Sequence, residues 1–249
     1  MKRVIHIASL TAFFPAYNDA PSLPGLIAKT FEVLQDCADD FEVIVVNDGS
    51  HDNTGAVLAA LALQYGPRRR VVTHPENRGY GRALRTGFAA AEKEWVFYID
   101  GDGQYDVGEL PELLKQVDTE VSLGNGYKLA RNDPWHRICI GKLYNIFARS
   151  LFRIRLRDVD CDFRLIRRSL LKDIPLTSTS GSICVEPVRK IETSGCSVAE
   201  VGAHHFPRLY GRPQFFRVRS ILTAFRESIE LYVRTVLISS PARTKPVLL

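Results

Sequence analysis

Along the first half of the chain, short apolar runs alternate with longer stretches whose apolar residues recur every three or four positions. The runs are residues 4–14, Phe41 to Val46, Val71 to Thr73, Trp95 to Ile99 and Val121 to Leu123. Their length and their β-branched and aromatic content predict strands buried on both faces. The stretches between them predict helices. Ser22 to Gln35 aligns Leu23, Leu26, Ile27 and Leu34, and the segment after Asp52, a candidate cap, aligns Val57, Leu58, Leu61 and Tyr65. A third helix is expected from the glycines of Asn77 to Arg82 through about Ala91. A fourth, led by the capping-box spacing of Asp106-Val107-Gly108-Glu109, turns Leu110, Leu113, Leu114 and Val117 inward. This alternation specifies an α/β fold: a doubly wound, mainly parallel sheet flanked by helices.

The second half reads differently. No acidic residue stands between Asp133 and Asp158, while Arg137, Lys142, Arg149, Arg153, Arg155 and Arg157 accumulate among apolar residues such as Trp135, Leu143 and Ile146. A basic amphipathic segment suits a membrane surface or a phosphorylated lipid, and equally a solvated helix face over core. Arg217 to Ile238 predicts an amphipathic helix with Ile221, Leu222, Phe225, Ile229, Tyr232, Val233 and Val236 in one stripe. The expected division is a catalytic domain over 1–215 and a C-terminal helix and tail over 216–249. The helix could pack on that domain, on a partner subunit or a second copy, or on a membrane.

Charge sharpens the contrast. Residues 1–130 hold 12 Lys/Arg against 18 Asp/Glu, and residues 131–249 hold 21 against 10, within a net charge of +5. An acidic half suited to metal thus faces a basic half suited to an anion. Five scattered cysteines with no C-x-x-C pair point to reduced thiols in a cytosolic setting. The apolar start is read as a strand, not a signal peptide, and no run reaches the roughly 20 residues of a spanning helix. Nucleic-acid-binding patterns are absent, as is the Walker motif, which argues against a nucleic-acid partner and a P-loop NTPase.

The candidate chemistry sits where strands end. Asp19, Asp48, Asp100 and Asp102 each follow a predicted strand, and in a parallel sheet those ends share the edge where ligands bind. Asp100 and Asp102, with Gln104 two residues on, offer hard oxygen ligands to Mg²⁺ or Mn²⁺, which usually completes its shell with substrate phosphate. An acidic crevice repels a bare phosphate, so a nucleotide diphosphate held through a divalent cation fits it best.

Four segments then occur in order: Pro15-Ala16-Tyr17-Asn18-Asp19, Val46-Asn47-Asp48-Gly49-Ser50, Asn77-x-Gly79-x-Gly81-x-Ala83-Leu84 and Asp100-Gly101-Asp102-Gly103-Gln104. Together they resemble the family 2 glycosyltransferases of GT-A fold, a Rossmann-like mixed sheet, and within them the polyprenyl-phosphate, dolichyl-phosphate mannose synthase-like branch. The resemblance spans about residues 8–215. It implies that Pro15, Tyr17, Asp19, Val46 and Asp48 hold base and ribose, and that Asp100, Asp102 and Gln104 hold the metal on the diphosphate, with Gly101 in the donor site. Asp158 to Leu165 resembles the family's segment near the acceptor, with Asp162 where Gly or Ala is commoner. His204 to Gln214 resembles the late loop that closes over donor and acceptor, which implies Arg208 as a phosphate clamp and Gln214 beside the donor. Arg137 aligns with a position that contacts phosphate in the synthases. Pro213 and Gly126 depart from the usual Ser and Arg. His204 and His205 lack ligand-spaced partners and are read as structural.

The resemblance implies an inverting sugar transfer from a UDP- or GDP-linked donor to a polyprenyl phosphate, by an enzyme peripheral at the cytoplasmic face of a membrane. The acceptor is already anionic, so positive charge at Arg137 and Arg208 matters more than a strong base. A hydroxyl acceptor would need one, and Asp158 or Asp160 is then expected to serve. A non-catalytic sugar-nucleotide-binding subunit with a membrane partner is the remaining alternative.

Overall fold

Strand alternation sorts side chains onto two faces of one sheet. In β1 (Ile7–Ala16), Leu10, Ala12 and Phe14 join one buried cluster and Phe13 the other. In β2 (Ala38–Asn47), Val43 and Val45 oppose Ile44 and Val46; in β4 (Trp95–Tyr98), Trp95 and Phe97 oppose Val96 and Tyr98. That is the period-two signature of strands covered on both sides. The computed structural model describes residues 6–117, 121–131, 134–211 and 218–238.

The sheet has seven strands in the order β3-β2-β1-β4-β6-β5-β7, where β3 is Arg69–Thr73, β5 Val121–Arg131, β6 Arg164–Arg167 and β7 Ser197–His205. β1 pairs in parallel with β2 and β4, β2 with β3, and β5 with β7, while β6 runs antiparallel between β4 and β5. The sheet is therefore mixed, and β6 and β7 are strands that apolar patterning did not reveal. β5 extends eight residues past the expected Leu123, through a polar residue that is inside. Asn125 is fully buried and accepts from the fully buried Arg164 at 2.6 Å; Arg164 also reaches Tyr98 Oη at 3.0 Å and the carbonyls of Cys184 and Val159. A buried guanidinium with its donors satisfied fixes the segment before β6.

Helices α1 (Leu23–Cys37), α2 (Thr54–Tyr65) and α4 (Leu110–Leu114) belong to one side of the sheet, with Leu23, Ile27, Leu34, Leu58, Leu110 and Leu114 in its cluster. α3 (Tyr80–Ala90), α5 (Trp135–Phe152), α7 (Glu186–Thr193) and α8 (Val218–Tyr232) supply the other side, with Leu84, Tyr144, Val188 and Ala224 in its cluster. A short α6 (Arg168–Asp173) follows β6. The expected capping box forms in half: Asp106 accepts from Gly108 N, but Glu109 accepts from the backbone and ring of His204 on β7 instead.

α8 packs on its own chain. Phe225 meets Tyr144 and Phe147, Tyr232 meets Phe152, and Ser228 is buried against Tyr144 Oη at 3.3 Å. The predicted stripe splits, since Leu222 and Ile229 face solvent at 63% and 53% exposure. Glu227 completes the docking by accepting from the backbone and hydroxyls of Thr179 and Ser180 and from the hydroxyl of Ser182. No helix among the described residues is long and apolar enough to cross a membrane.

Candidate functional site

The carboxyl ends of β1, β2 and β4 do converge, and their loops are stitched together by short polar contacts. Asn18, in the left-handed region at φ 57°, donates its N–H to Ser50 Oγ and accepts from His51 N and Asp52 N. Asp52 in turn accepts from Ala20 N and from Thr54 N at the start of α2. Gly101 N donates to Pro15 O, and a Cβ at Gly101 would lie 2.7 Å from that oxygen, so only glycine fits the crossing. Ser22 Oγ closes the ring by donating to Gly101 O at 2.8 Å.

Asp48 is buried and heavily engaged. It accepts from Arg78 N and Gly79 N at 2.9 Å each and sits 2.6 Å from His74 Nδ1. Its carboxylate therefore anchors the Asn77 to Gly81 loop. Gly49 makes this approach feasible: its φ is +65°, and a Cβ there would meet Glu76 C at 2.2 Å. Val46 is fully buried in the sheet, and Tyr17 lies edge-on to His51 with centroids 6.3 Å apart.

Asp100 accepts from Tyr80 Oη at 2.8 Å, while Asp102 accepts from Gln104 N at 3.0 Å. Opposite them lies the loop after β7. Phe206 N donates to Gln104 O, and Gln104 Nε2 donates to Phe206 O, so the Gln104 amide is turned to this loop. Arg208 reaches back into the crevice, donating to Asp19 Oδ1 at 2.6 Å and Asp102 Oδ2 at 3.0 Å, with Tyr210 O holding its Nε. Asp19, Asp102 and Arg208 are thus one cluster. Gln214 and Pro213 lie outside the described residues.

Charge in this crevice is under-compensated. Burial pushes Asp102 up to about 6, against the pull of Arg208; Asp19 is also raised by burial. Asp100 is pushed well above the carboxylate range, first by burial and then by the charges of Asp162 and Asp102. Buried carboxylates short of positive charge suit a divalent cation, whose arrival supplies what one arginine cannot. Among the described residues no three His, Cys, Asp or Glu side chains gather as a metal cage. The pair Asp100 and Asp102 instead fits a cation that takes its other ligands from phosphate and water.

The acceptor-side expectations are distributed differently. Asp158 is buried, accepts from Asp160 N at 3.0 Å and lies 3.8 Å from Lys128 Nζ, which donates to Asp160 O. Asp162 is the acid of this segment that bears on Asp100 and Asp102. It is 9% exposed, accepts from Cys184 Sγ at 3.3 Å, and its charge raises Asp100, Asp102 and Tyr80. Sequence reasoning noted Asp162 only as a departure; the signal was there in an acid replacing a glycine. Arg137 is half-buried in the first turn of α5. His204 is spent on Glu109, as a structural residue should be.

Comparison with known proteins agrees with this geometry. The model of the family described as "Glycosyl transferase family 2" matches residues 11–175. An undecaprenyl-phosphate 4-deoxy-4-formamido-L-arabinose transferase of Serratia proteamaculans is 29% identical over 174 residues, 69% of this chain and 53% of that protein. This chain therefore spans about half the length of that relative. A polyprenol monophosphomannose synthase of Mycolicibacterium smegmatis is 29% identical over 198 residues, 75% of this chain and 73% of that protein. Among solved structures, glucosyl-3-phosphoglycerate synthase from Mycobacterium tuberculosis, in complex with Mn²⁺, uridine diphosphate and glucosyl-3-phosphoglycerate, superimposes with a TM-score of 0.70. That likeness comes at 18% identity and covers 91% of this chain and 79% of that one. The shared fold is the GT-A arrangement that the strand-end motifs implied.

Proposed function

The chain belongs to glycosyl transferase family 2, and we propose that it transfers a sugar, with inversion, from a nucleotide diphosphate-sugar to a polyprenyl phosphate at the cytoplasmic face of a membrane. The observation that carries this reading is the under-compensated pair Asp100 and Asp102, faced by Arg208 at the convergent strand ends. The name of the Serratia relative carries undecaprenyl phosphate and that of the Mycolicibacterium relative a polyprenol monophosphomannose, which supports a lipid phosphate acceptor.

In this reading Asp100 and Asp102 hold the diphosphate through Mg²⁺ or Mn²⁺. Such a cation, when bound, neutralises charge developing on the departing diphosphate. Pro15, Tyr17 and Asp19 stand at the base and ribose end with the buried Val46 beneath them, and Asp48 keeps the loop behind it in shape. Arg208 leaves its carboxylates for phosphate oxygens, a role that suits its planar fork. Arg137 draws the acceptor phosphate in. α5 and α8 present the membrane side: Trp135, Leu143 and Ile146 on one and Leu222 and Ile229 on the other are all more than half exposed. Apolar residues flanked by Lys142, Arg153 and Arg226 match an anionic lipid surface.

The test is release of nucleoside diphosphate by the purified chain, with and without polyprenyl phosphate and with and without Mn²⁺ or Mg²⁺. Release that needs both the lipid phosphate and the cation is expected. Release with a hydroxyl acceptor but no lipid phosphate would replace this reading. Asp158 and Asp160 would then be examined as the base, in keeping with the phosphoglycerate-derived ligand of the structural neighbour.

A further inference from the structure

A groove of about 560 Å³ opens on the other side of α3, between that helix and α6 with the residues that follow it. Its volume lies within the range of small-ligand sites, roughly 300–1,000 Å³. Five cations line it: Arg78, Arg82 and Arg85 from one wall, Arg168 and Lys172 from the other. Among the described residues no carboxylate lines it and none of the five makes an ion pair; the one hydrogen bond their side chains make there is from Arg85 to the Thr177 carbonyl at 3.4 Å. Phe88, Leu171 and Leu176 form its apolar part.

This concentration of charge costs stability. Arg82 and Arg85 are three apart on α3, and Arg168 and Lys172 four apart on α6, spacings at which like charges repel. Two arginines elsewhere show the usual compensation: Arg70 has Glu42 and Glu92, and Arg167 has Glu94. Two facing walls of unpaired guanidinium and ammonium groups over an apolar floor form a receptor for a multivalent anion. We propose that this groove binds a phosphate-bearing anion at a site separate from the acidic crevice. Arg78 belongs to both neighbourhoods: its side chain lines the groove and its N–H donates to Asp48.

The metal-free protein, in EDTA, would be titrated calorimetrically with inorganic pyrophosphate, which removes the cation-dependent route into the crevice. Wild type and Arg208→Ala should bind alike, and the Arg85→Glu/Lys172→Glu double variant should bind about tenfold or more weakly. All these substituted residues except Arg208 are exposed, and a milder Arg82→Gln/Arg85→Gln pair guards against misfolding. No binding by wild type, binding that survives both groove variants, or binding lost in Arg208→Ala would each overturn the proposal. Flotation with phosphatidylcholine vesicles, with and without phosphatidic acid, identifies the source of the anion. Phosphatidic acid-dependent binding that the double variant loses assigns a lipid headgroup, and vesicle binding indifferent to the variant, with pyrophosphate binding lost, assigns a free phosphate.

Discussion

Two sets of buried and half-buried carboxylates in this chain are built in opposite ways. Glu186, fully buried, accepts from Thr177 N, Thr177 Oγ1 and Ser178 N and pairs with Lys190 at 2.7 Å. Glu227 gathers five such donors and is held down at about 2; Glu186 too is lowered, its hydrogen bonds and lysine outweighing burial. Asp100, by contrast, has Tyr80 and two neighbouring negative charges, and partial burial together with those charges drives it up. Satisfied carboxylates bind elements together; starved ones are poised for a ligand. The same residue type thus serves the scaffold beneath α8 and the crevice at the sheet edge, and the donors around it decide which.

The largest test of this contrast is Asp102→Asn. It is expected to weaken cation-dependent donor binding by about 100-fold or more, since a carboxylate ligand is lost. The melting temperature of the metal-free protein should stay within about 3 °C of wild type, because a poorly compensated charge leaves with it. Titration with a panel of nucleotide-sugars and Mn²⁺ measures the first and calorimetry the second. Unchanged donor affinity would refute the role given to Asp102.

Glu186→Gln should do the reverse. Its amide meets donors with donors, so stability falls by about 2 kcal/mol, or roughly 5 °C, while donor affinity per folded molecule is retained. A variant as stable as wild type would break the comparison from the scaffold side.

Acidity separates the two sets more gently. Glu227, lowered from its ordinary value, contributes stability above about pH 4.5 that is lost as pH falls toward about 2. Asp102, raised to about 6, works the other way: the metal-free crevice loses stability as pH rises from about 4 through 6. Protons and cation compete for that carboxylate, so Mn²⁺ should bind more tightly as pH rises through about 6. Calorimetric stability curves and Mn²⁺ titrations across pH 4–8 would read both limbs; a flat Mn²⁺ profile would dissociate Asp102 from the cation.

The patterning of apolar residues and the acids that end each run were sufficient for the parallel core of the sheet and for the convergence of those acids at one edge. Both follow from local regularities, a period of two within strands and a charge where the strand must stop. Hydrophobic pattern could not announce β6 or the length of β5, because buried Asn125 and Arg164 satisfy each other across 39 residues and hide a strand behind polar letters. Nor could it say that Asp48 is committed to a loop, that Asp162 joins the electrostatics of Asp100, or that the stripe of α8 divides between core and solvent. Those facts depend on which donors the fold brings to each carboxylate. Residue types and their periods specify what a chain can bury; only the folded contacts decide which buried charge is compensated and which is left open to a ligand.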